Sequence, residues 1–408
     1  MSAGSSAWDP TRSPRDASRA SARSCSSAGQ KLCYTRYRVT RQTPPRSDVS
    51  RRVQHALARF GDQAISAQVS GRRGLAYWFD GEACVAYRVA GRTRVVAGVP
   101  LAAPPDRVAI ARRFCRVAAA AGDRVVWFGV DREFIEAAHG GAVSVDSVAI
   151  GSEPMWSLAA AHDRARGLDS QCRRARRKGV TVRVASADEV VALTGLRGRI
   201  LTLLDRWYAT RPMPAMDFLV RVEPFERGAA ERRFYVAERG TRLDALLIAS
   251  PMPASRGWFF ENIIRDPHAP NGTVESLLCF ALDHARERGD AVASLGLAPL
   301  ARLDAGGGRH RLLRWLLHTS YRRLGTLYRF RTLHTFKARM RPHRWEPRYL
   351  AVLDGRVGLS AFLAVGRAFA GGSLTRFAVA LVRRRFSPRV EHQLLTAHGR
   401  PRLGRRGV

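Results

Sequence analysis

Between positions 261 and 275 the chain reads Glu261-Asn262-Ile263-Ile264-Arg265-Asp266-Pro267-His268-Ala269-Pro270-Asn271-Gly272-Thr273-Val274-Glu275, which gathers carboxylates, carboxamides, a guanidinium and a hydroxyl in one short run. Arg265 stands just past a strand-like stretch and before a turn. From there its planar fork can hold a phosphate through two hydrogen bonds, although an exposed loop arginine is the plainer reading in a basic chain. Asn271-Gly272-Thr273 precede a helical pattern. Backbone N–H groups left free at a helix start can bind a phosphate or an oxyanion, and Thr273 can equally act as the cap. Glu275 falls in the first turn, where it either orients a substrate amino group or complements the helix dipole. Glu261 and Asn262 are strand neighbours, expected to face opposite ways and to leave one of them for a site.

Two basic runs accompany this segment. Lys337 and Arg348 lie in a stretch from Arg309 to Arg348 that holds many arginines and a single acid, Glu346, with Tyr321, Tyr328, Phe330 and Trp345 interleaved. Basic plus aromatic suits the phosphates and bases of a single-stranded nucleic-acid end, and it equally suits a solvated basic face over core aromatics. Arg173, Arg174, Arg176, Arg177 and Lys178 form the second run, a nucleic-acid contact or a solvated helix face. His310, His318, His334 and His343 lack the spacing of metal ligands, so no metal is expected. Gly306-Gly307-Gly308 is followed by no P-loop lysine and hydroxyl, and is expected to be a plain loop.

Elements that can position these residues come in a pattern that repeats. Cys84 to Val89 alternates with period two, Ala90-Gly91-Arg92-Thr93 turns, and Arg94 to Gly98 returns as a hairpin. Pro104-Pro105-Asp106 then opens a helix with Val108, Ala111, Phe114, Cys115 and Ala118 on one face and Gly122 at its end. Val125 to Val130 follows as a buried strand. The second half repeats the order: strands at Phe234 to Ala237, Leu243 to Ser250 and Trp258 to Ile264, a helix from near Thr273 to Gly289, and a strand from Val292 to Leu295. This is α/β architecture with mixed sheets, seen twice. The expected division is a disordered basic leader over 1–50, a first domain over 51–158, a second over 159–350 that holds the site, and a basic amphipathic tail over 351–408.

The chain has 408 residues, enough for two ordinary domains. Its 69 Lys and Arg against 34 Asp and Glu leave a net charge of +35, and a field of that size attracts nucleic acid and anionic membranes. The six cysteines are scattered, with no C-x-x-C pair, which argues against a zinc site or a disulfide framework and suits a reducing compartment. The first fifty residues contain no apolar core of a secretory signal, and nothing in the sequence reaches eighteen apolar residues without charge. In the tail, Leu359, Phe362, Leu363, Val365, Phe369, Phe377, Leu381 and Val382 alternate with arginines, and Gly371-Gly372 divides two short segments. These segments are expected to lie in an anionic leaflet, the alternative being that they pack back on the second domain.

The run from Glu261 to Glu275 resembles the signature of the C-terminal domain of the aminoacyl-phosphatidylglycerol synthases, the lysyl- and alanyl-phosphatidylglycerol synthases. Leu295-Gly296-Leu297-Ala298-Pro299-Leu300 is similar to that family's next motif. Tyr328-Arg329-Phe330, Phe336-Lys337 and Trp345-Glu346-Pro347-Arg348-Tyr349-Leu350 are similar to its closing one. A weaker similarity covers Tyr77-Trp78-Phe79 through Gly98-Val99-Pro100. The resemblance spans about residues 51 to 350. It implies tandem acetyltransferase-like (GNAT-like) domains whose site takes an aminoacyl-tRNA and the hydroxyl of a phospholipid such as phosphatidylglycerol.

The same resemblance implies catalysis by Arg265, Glu275 and Asn262 and substrate binding by Glu261, Asn271, Gly272, Thr273, Lys337 and Arg348, while Arg173, Arg174, Arg176, Arg177 and Lys178 are expected from their charge to contact tRNA. Two departures stand out. Members usually carry a large membrane-spanning portion before this domain, and Asn262 stands where the family tends to have Asp. A carboxamide cannot accept a proton as a carboxylate does. Ester exchange from an already activated aminoacyl ester needs no cofactor, and one glycine in Ala269 to Thr273 is too few for a coenzyme A pyrophosphate loop. The expected place of action is the cytoplasmic face of the membrane. The rivals are transfer to another lipid, peptide or amine, and a non-catalytic nucleic-acid-binding protein.

Overall fold

The alternating residues of the first hairpin do pair. Ala83–Val89 and Thr93–Ala97 run antiparallel, and Thr93–Ala97 then pairs parallel with Arg124–Val130 across the helix Arg107–Ala120. That helix buries Ile110, Ala111, Phe114 and Ala118, the stripe the periodicity predicts. Phe114 meets Trp127 at a centroid distance of 6.1 Å and Tyr87 at 5.1 Å, in the core of the first half.

A computed structural model describes residues 47–70, 74–141, 143–160, 166–192, 195–211, 216–225, 231–301 and 330–386. All of them fall in the compact unit Pro45–Val408. The leader as far as residue 46, the Gly306–Gly308 run, His310, His318, Tyr321, Tyr328 and the tail beyond residue 386 lie outside the described residues.

In chain order the first half comprises α1 (Ser47–Phe60), α2 (Ala64–Ala67), β1 (Ala76–Asp80), β2 (Ala83–Val89), β3 (Thr93–Ala97), α3 (Arg107–Ala120), β4 (Arg124–Val130), α4 (Arg132–Gly140) and β5 (Val145–Ser157). The second comprises α5 (Arg166–Arg177), β6 (Thr181–Ala185), α6 (Ala187–Val191), α7 (Leu196–Ala209), β7 (Arg233–Arg239), β8 (Arg242–Met252), β9 (Gly257–Arg265), α8 (Thr273–Glu287), β10 (Val292–Ser294) and β11 (Ala298–Pro299). The chain closes with α9 (Phe330–Arg339), β12 (Arg344–Leu353), α10 (Leu359–Phe369) and α11 (Leu374–Phe386).

The two halves share one mixed sheet of twelve strands, in the order β1-β2-β3-β4-β12-β5-β10-β9-β8-β7-β6, with β11 on β5. Each half contains one parallel pair joined by a helix: β3 and β4 across α3, β9 and β10 across α8. Beside β4 lies β12, antiparallel, and beside β10 lies β5, also antiparallel. The strand that completes the second half therefore comes from the first, and the strand that completes the first comes from near the C-terminus. The fold is a tandem α/β architecture whose two halves share one continuous sheet.

Each half buries both faces of its sheet. In the second half α5 and α8 cover one face through Leu168, Ala175, Leu277, Leu278 and Leu282, while α7 covers the other through Ile200, Leu203 and Leu204. In the tail, Ala361, Ala364 and Ala368 of α10 are buried, Ala361 in a cluster with Val126, Val148 and Leu350, and Ala364 and Ala368 in one that joins first-half residues to Phe218 and Leu219. Small residues at i, i+3 and i+7 allow that close approach.

Candidate functional site

β9 carries the first candidates, and its pairing with β8 holds an irregularity that decides their directions. Asn262 is opposite Ile248 and Phe260 opposite Ala249, so Glu261 is an extra residue, a β-bulge. The cores record the shift. Phe260 and Ile263 both join the α8-side core, three positions apart, whereas Ile264 joins the α7-side core. Glu261 accepts a hydrogen bond from Ser250 Oγ at 2.8 Å, and Ser250 alternates with Ala249 of the α8-side core. Asn262 pairs across to Ile248 of the α7-side core. Glu261 and Asn262 thus lie on the same face. The expectation that they point opposite ways fails because strand alternation holds only for unbulged pairing.

Glu261 is held on that face by Arg232 at 3.9 Å, its side chain only 3% exposed. The Asn262 carboxamide is half-buried and has no hydrogen-bond partner among the described residues. Arg265 belongs elsewhere: its register partner, Ala245, lies in the α8-side core. One of its nitrogens donates to the carbonyl of Ala269, within its own loop. Its other nitrogens have no partner among the described residues, and the side chain is half-buried.

Asp266 anchors the turn that follows. It is fully buried, accepts from the His268 amide at 2.8 Å, and pairs with Arg206 at 2.9 Å and Arg242 at 2.8 Å. Burial pushes its carboxyl up, but the His268 amide and the two guanidiniums outweigh this and hold it below its usual range. Gly272, rather than Thr273, is the N-cap of α8, with φ at +93°. A Cβ there would stand 2.0 Å from the carbonyl oxygen of Gln171 in α5, so two backbones meet where only glycine fits. Thr273 is fully buried and its hydroxyl donates back to Pro270 O at 2.8 Å. The expectation of a Thr273 cap gives way to that reversed bond. Asn271 is exposed, and Glu275 half-buried in the first turn.

Because Gln171 touches Gly272, the basic run of α5 begins beside this loop. Ala175 is buried, while Arg173, Arg174, Arg176, Arg177 and Lys178 are all exposed. None of the five has an ion pair among the described residues. Elsewhere acids hold arginines: Glu238 binds Arg183 and Arg199, Asp244 binds Arg239 and Arg242, and Asp290 binds Arg233. The α5 ridge, without ion pairs among the described residues, keeps its charge for solvent or a ligand.

Lys337 and Arg348 sit inside. Lys337 Nζ donates to the carbonyls of Leu295, Gly296 and Leu297 at 2.9, 2.8 and 3.1 Å. Burial pushes its ammonium down to about 7, with Glu153 opposing the shift. Three carbonyls match the three donors of an ammonium, so the geometry is built for the charged form. Gly296 has φ +67°, and a Cβ there would come within 2.6 Å of the Phe259 ring. Arg348 donates from Nε to Glu153 at 2.7 Å and from Nη2 to Glu346 at 3.1 Å, and Nη1 lies 3.9 Å from Asp131. Glu153 also accepts from Ser294, whose oxygen takes the Gly296 amide at 2.8 Å. This buried network ties the sheet junction to the loop after β10. Glu153, Ser294, Arg232 and the Gln171–Gly272 contact were not found by sequence reasoning. No motif marks them, because each depends on strands distant in the chain. Trp345 packs against His334 at 5.2 Å between ring centroids and is half-buried.

The family described as "Phosphatidylglycerol lysyltransferase, C-terminal" matches residues 54–352. Among solved structures the chain is similar to the C-terminal domain (DUF2156) of a candidate lysylphosphatidylglycerol synthetase from Agrobacterium fabrum. Identity is 21%, the TM-score 0.66, and the match covers 80% of this chain and 98% of that one. It is also similar to L-PGS from Bacillus licheniformis, at 17% identity and a TM-score of 0.63, covering 78% and 96%. No curated protein matches. No helix among the described residues is long and apolar enough to cross a membrane. The chain belongs to the phosphatidylglycerol lysyltransferase C-terminal family.

Proposed function

From that membership we propose that this chain moves an aminoacyl group from a charged tRNA to the hydroxyl of an anionic phospholipid such as phosphatidylglycerol, at the cytoplasmic face of the membrane. The observation that carries the reading is the α5 ridge. Its exposed cations, without ion pairs among the described residues, adjoin the loop that leads from Arg265 to the start of α8. Phosphates of a nucleic acid suit that ridge, and the 3′ end then reaches the loop.

The lipid hydroxyl oxygen attacks the ester carbonyl carbon, and a tetrahedral oxyanion forms. The bond to the ribose oxygen breaks, and that oxygen takes the proton the lipid gives up. Because the ester is already activated, alignment and oxyanion stabilisation are the main demands. Arg265 holds a phosphate with the nitrogens not spent on Ala269. Glu275 orients the amino group of the transferred residue, and Asn262, on the other face of β9 from Arg265, offers N–H donors to the substrate. Lys337 and Arg348 act as positioning residues, through the backbone of residues 295–297 and the sheet junction.

The test is lipid mass analysis of cells with and without the protein, joined to transfer in vitro. A new aminoacylated lipid should form, and digestion of the charged tRNA with ribonuclease should stop it. Transfer that survives ribonuclease and needs acetyl-CoA would overturn the proposal. A second reading, an acceptor other than phosphatidylglycerol, follows from the resemblance, which implies Asp where this chain has Asn262.

A further inference from the structure

The family match ends at residue 352, yet two more helices follow, α10 and α11. The first of them, α10, packs on the protein by one side only. In α10, Ala361, Ala364 and Ala368 face inward, and Leu359 and Leu363 face solvent, 63% and 45% exposed. In α11, Val379 and Val382 are 51% and 53% exposed. Eight large hydrophobic residues are exposed among the described residues, and four of them lie on this helix pair. So concentrated a set marks an interaction surface rather than scattered exposure. The spacing within each helix, i to i+4 and i to i+3, keeps each set on one face.

The charge around them selects the partner. No acid occurs between Gly355 and Val390, while Arg356, Arg367 and Arg376 lie in or beside the two helices and Arg383-Arg384-Arg385 continue the sequence. Arg367 and Arg376 are exposed, and neither has an ion pair among the described residues. A second copy of the same basic surface would repel it, in a chain of net charge +35. Apolar side chains rimmed by arginine, with no acid, match an anionic bilayer surface.

We propose that α10 and α11 form a membrane-docking hairpin: Leu359, Leu363, Val379 and Val382 enter the acyl boundary of an anionic leaflet, and Arg367 and Arg376 meet its phosphates. At the turn between the helices Leu374 stands beside Gly366, and the Gly372 amide donates to Arg367 O at 2.8 Å. This deepens the lipid reading above by naming the surface that brings the site to its acceptor, and it rests on that reading for its biological purpose alone.

The experiment is flotation of the purified full chain with vesicles of phosphatidylglycerol and phosphatidylcholine, against vesicles of phosphatidylcholine alone. Wild type should float with the anionic vesicles, and less so as salt rises. The quadruple variant Leu359→Ser, Leu363→Ser, Val379→Ser, Val382→Ser should lose binding about tenfold or more, as should Arg367→Glu with Arg376→Glu. Circular dichroism of both should match wild type, because all six side chains are exposed. Transfer assays on detergent-dispersed lipid, run beside flotation, separate this proposal from the enzymatic one. Flotation without any transfer leaves docking intact and defeats the enzymatic reading. Unchanged flotation of both variants, or equal flotation of wild type with neutral vesicles, overturns docking. So does a dimer that these substitutions abolish while vesicle binding persists.

Discussion

Arg348 Nε lies 2.7 Å from Glu153 Oε2, both side chains nearly sealed from solvent, and this contact locks β12 against β5. Glu346 and Glu153 are direct register partners on the two strands, and Arg348 donates to both. Like charges facing each other across a ladder are tolerated because the guanidinium stands between them. Arg348→Met should therefore leave a buried carboxylate without its main partner and cost about 3–5 kcal/mol. Chemical denaturation would read this as a lower midpoint at similar slope. The double variant Arg348→Met, Glu153→Gln should recover part of the loss. A single variant as stable as wild type would mean the pair is not what joins the strands.

Arg265→Ala should lower transfer about a hundredfold or more. The fold should survive, since that side chain hydrogen-bonds to a carbonyl of its own loop. Arg265→Lys should rescue poorly, because a point charge does not replace the planar fork. Steady-state transfer with charged tRNA and lipid is the measurement, and full activity in Arg265→Ala would remove the residue from the mechanism.

Asn262→Asp places a second carboxylate on the face that already holds Glu261. Transfer to phosphatidylglycerol at neutral pH should be unchanged or modestly raised, as an activated ester asks little of a base. Complete loss, with folding confirmed by circular dichroism, would indicate instead that the carboxamide N–H donors contact the substrate.

Replacing Arg173, Arg174, Arg176 and Arg177 with alanine should weaken tRNA binding with little change in stability, as these side chains are exposed and have no ion pair among the described residues. The dependence of log affinity on log salt should flatten by about 0.7–0.9 for each phosphate no longer neutralised. An unchanged salt slope would take the ridge out of tRNA recognition.

Asp266 predicts a pH dependence. Its folded carboxyl is held below the ordinary value, so the unfolded chain binds the proton more readily. The stability it contributes is complete above the unfolded value and is lost as pH falls through the lower, folded one. Melting temperatures recorded from neutral to acidic pH should fall more steeply in wild type than in Asp266→Asn, and parallel curves would show that Asp266 does not stabilise the turn.

Local order was readable in the residues themselves. Period-two alternation and the turn after it placed β2 and β3, the strand-like runs at 125–130, 243–250 and 258–264 fall in β4, β8 and β9, and apolar stripes with a closing glycine placed α3 and α8, because backbone geometry near in sequence depends on side chains near in sequence. The repeat of strand, helix and parallel strand followed from those elements, as did the tandem architecture. The motif from Glu261 to Glu275 carries the resemblance on which the proposed site rests.

What tertiary structure decided is everything that rests on partners far apart in the chain. The exchange that seats β12 beside β4 and β5 beside β10 leaves no local trace, since antiparallel pairing carries no record of which strand supplies it. A single extra residue at Glu261 turned two side chains to one face, and only the register with β8 reveals it. Lys337 and Arg348 read as exposed cations in a basic stretch, but three carbonyls and two glutamates from distant strands draw them inside. The α5 arginines read the same way and stay outside. Sequence shows how many charges there are; which of them are compensated depends on the few acids that folding brings within reach.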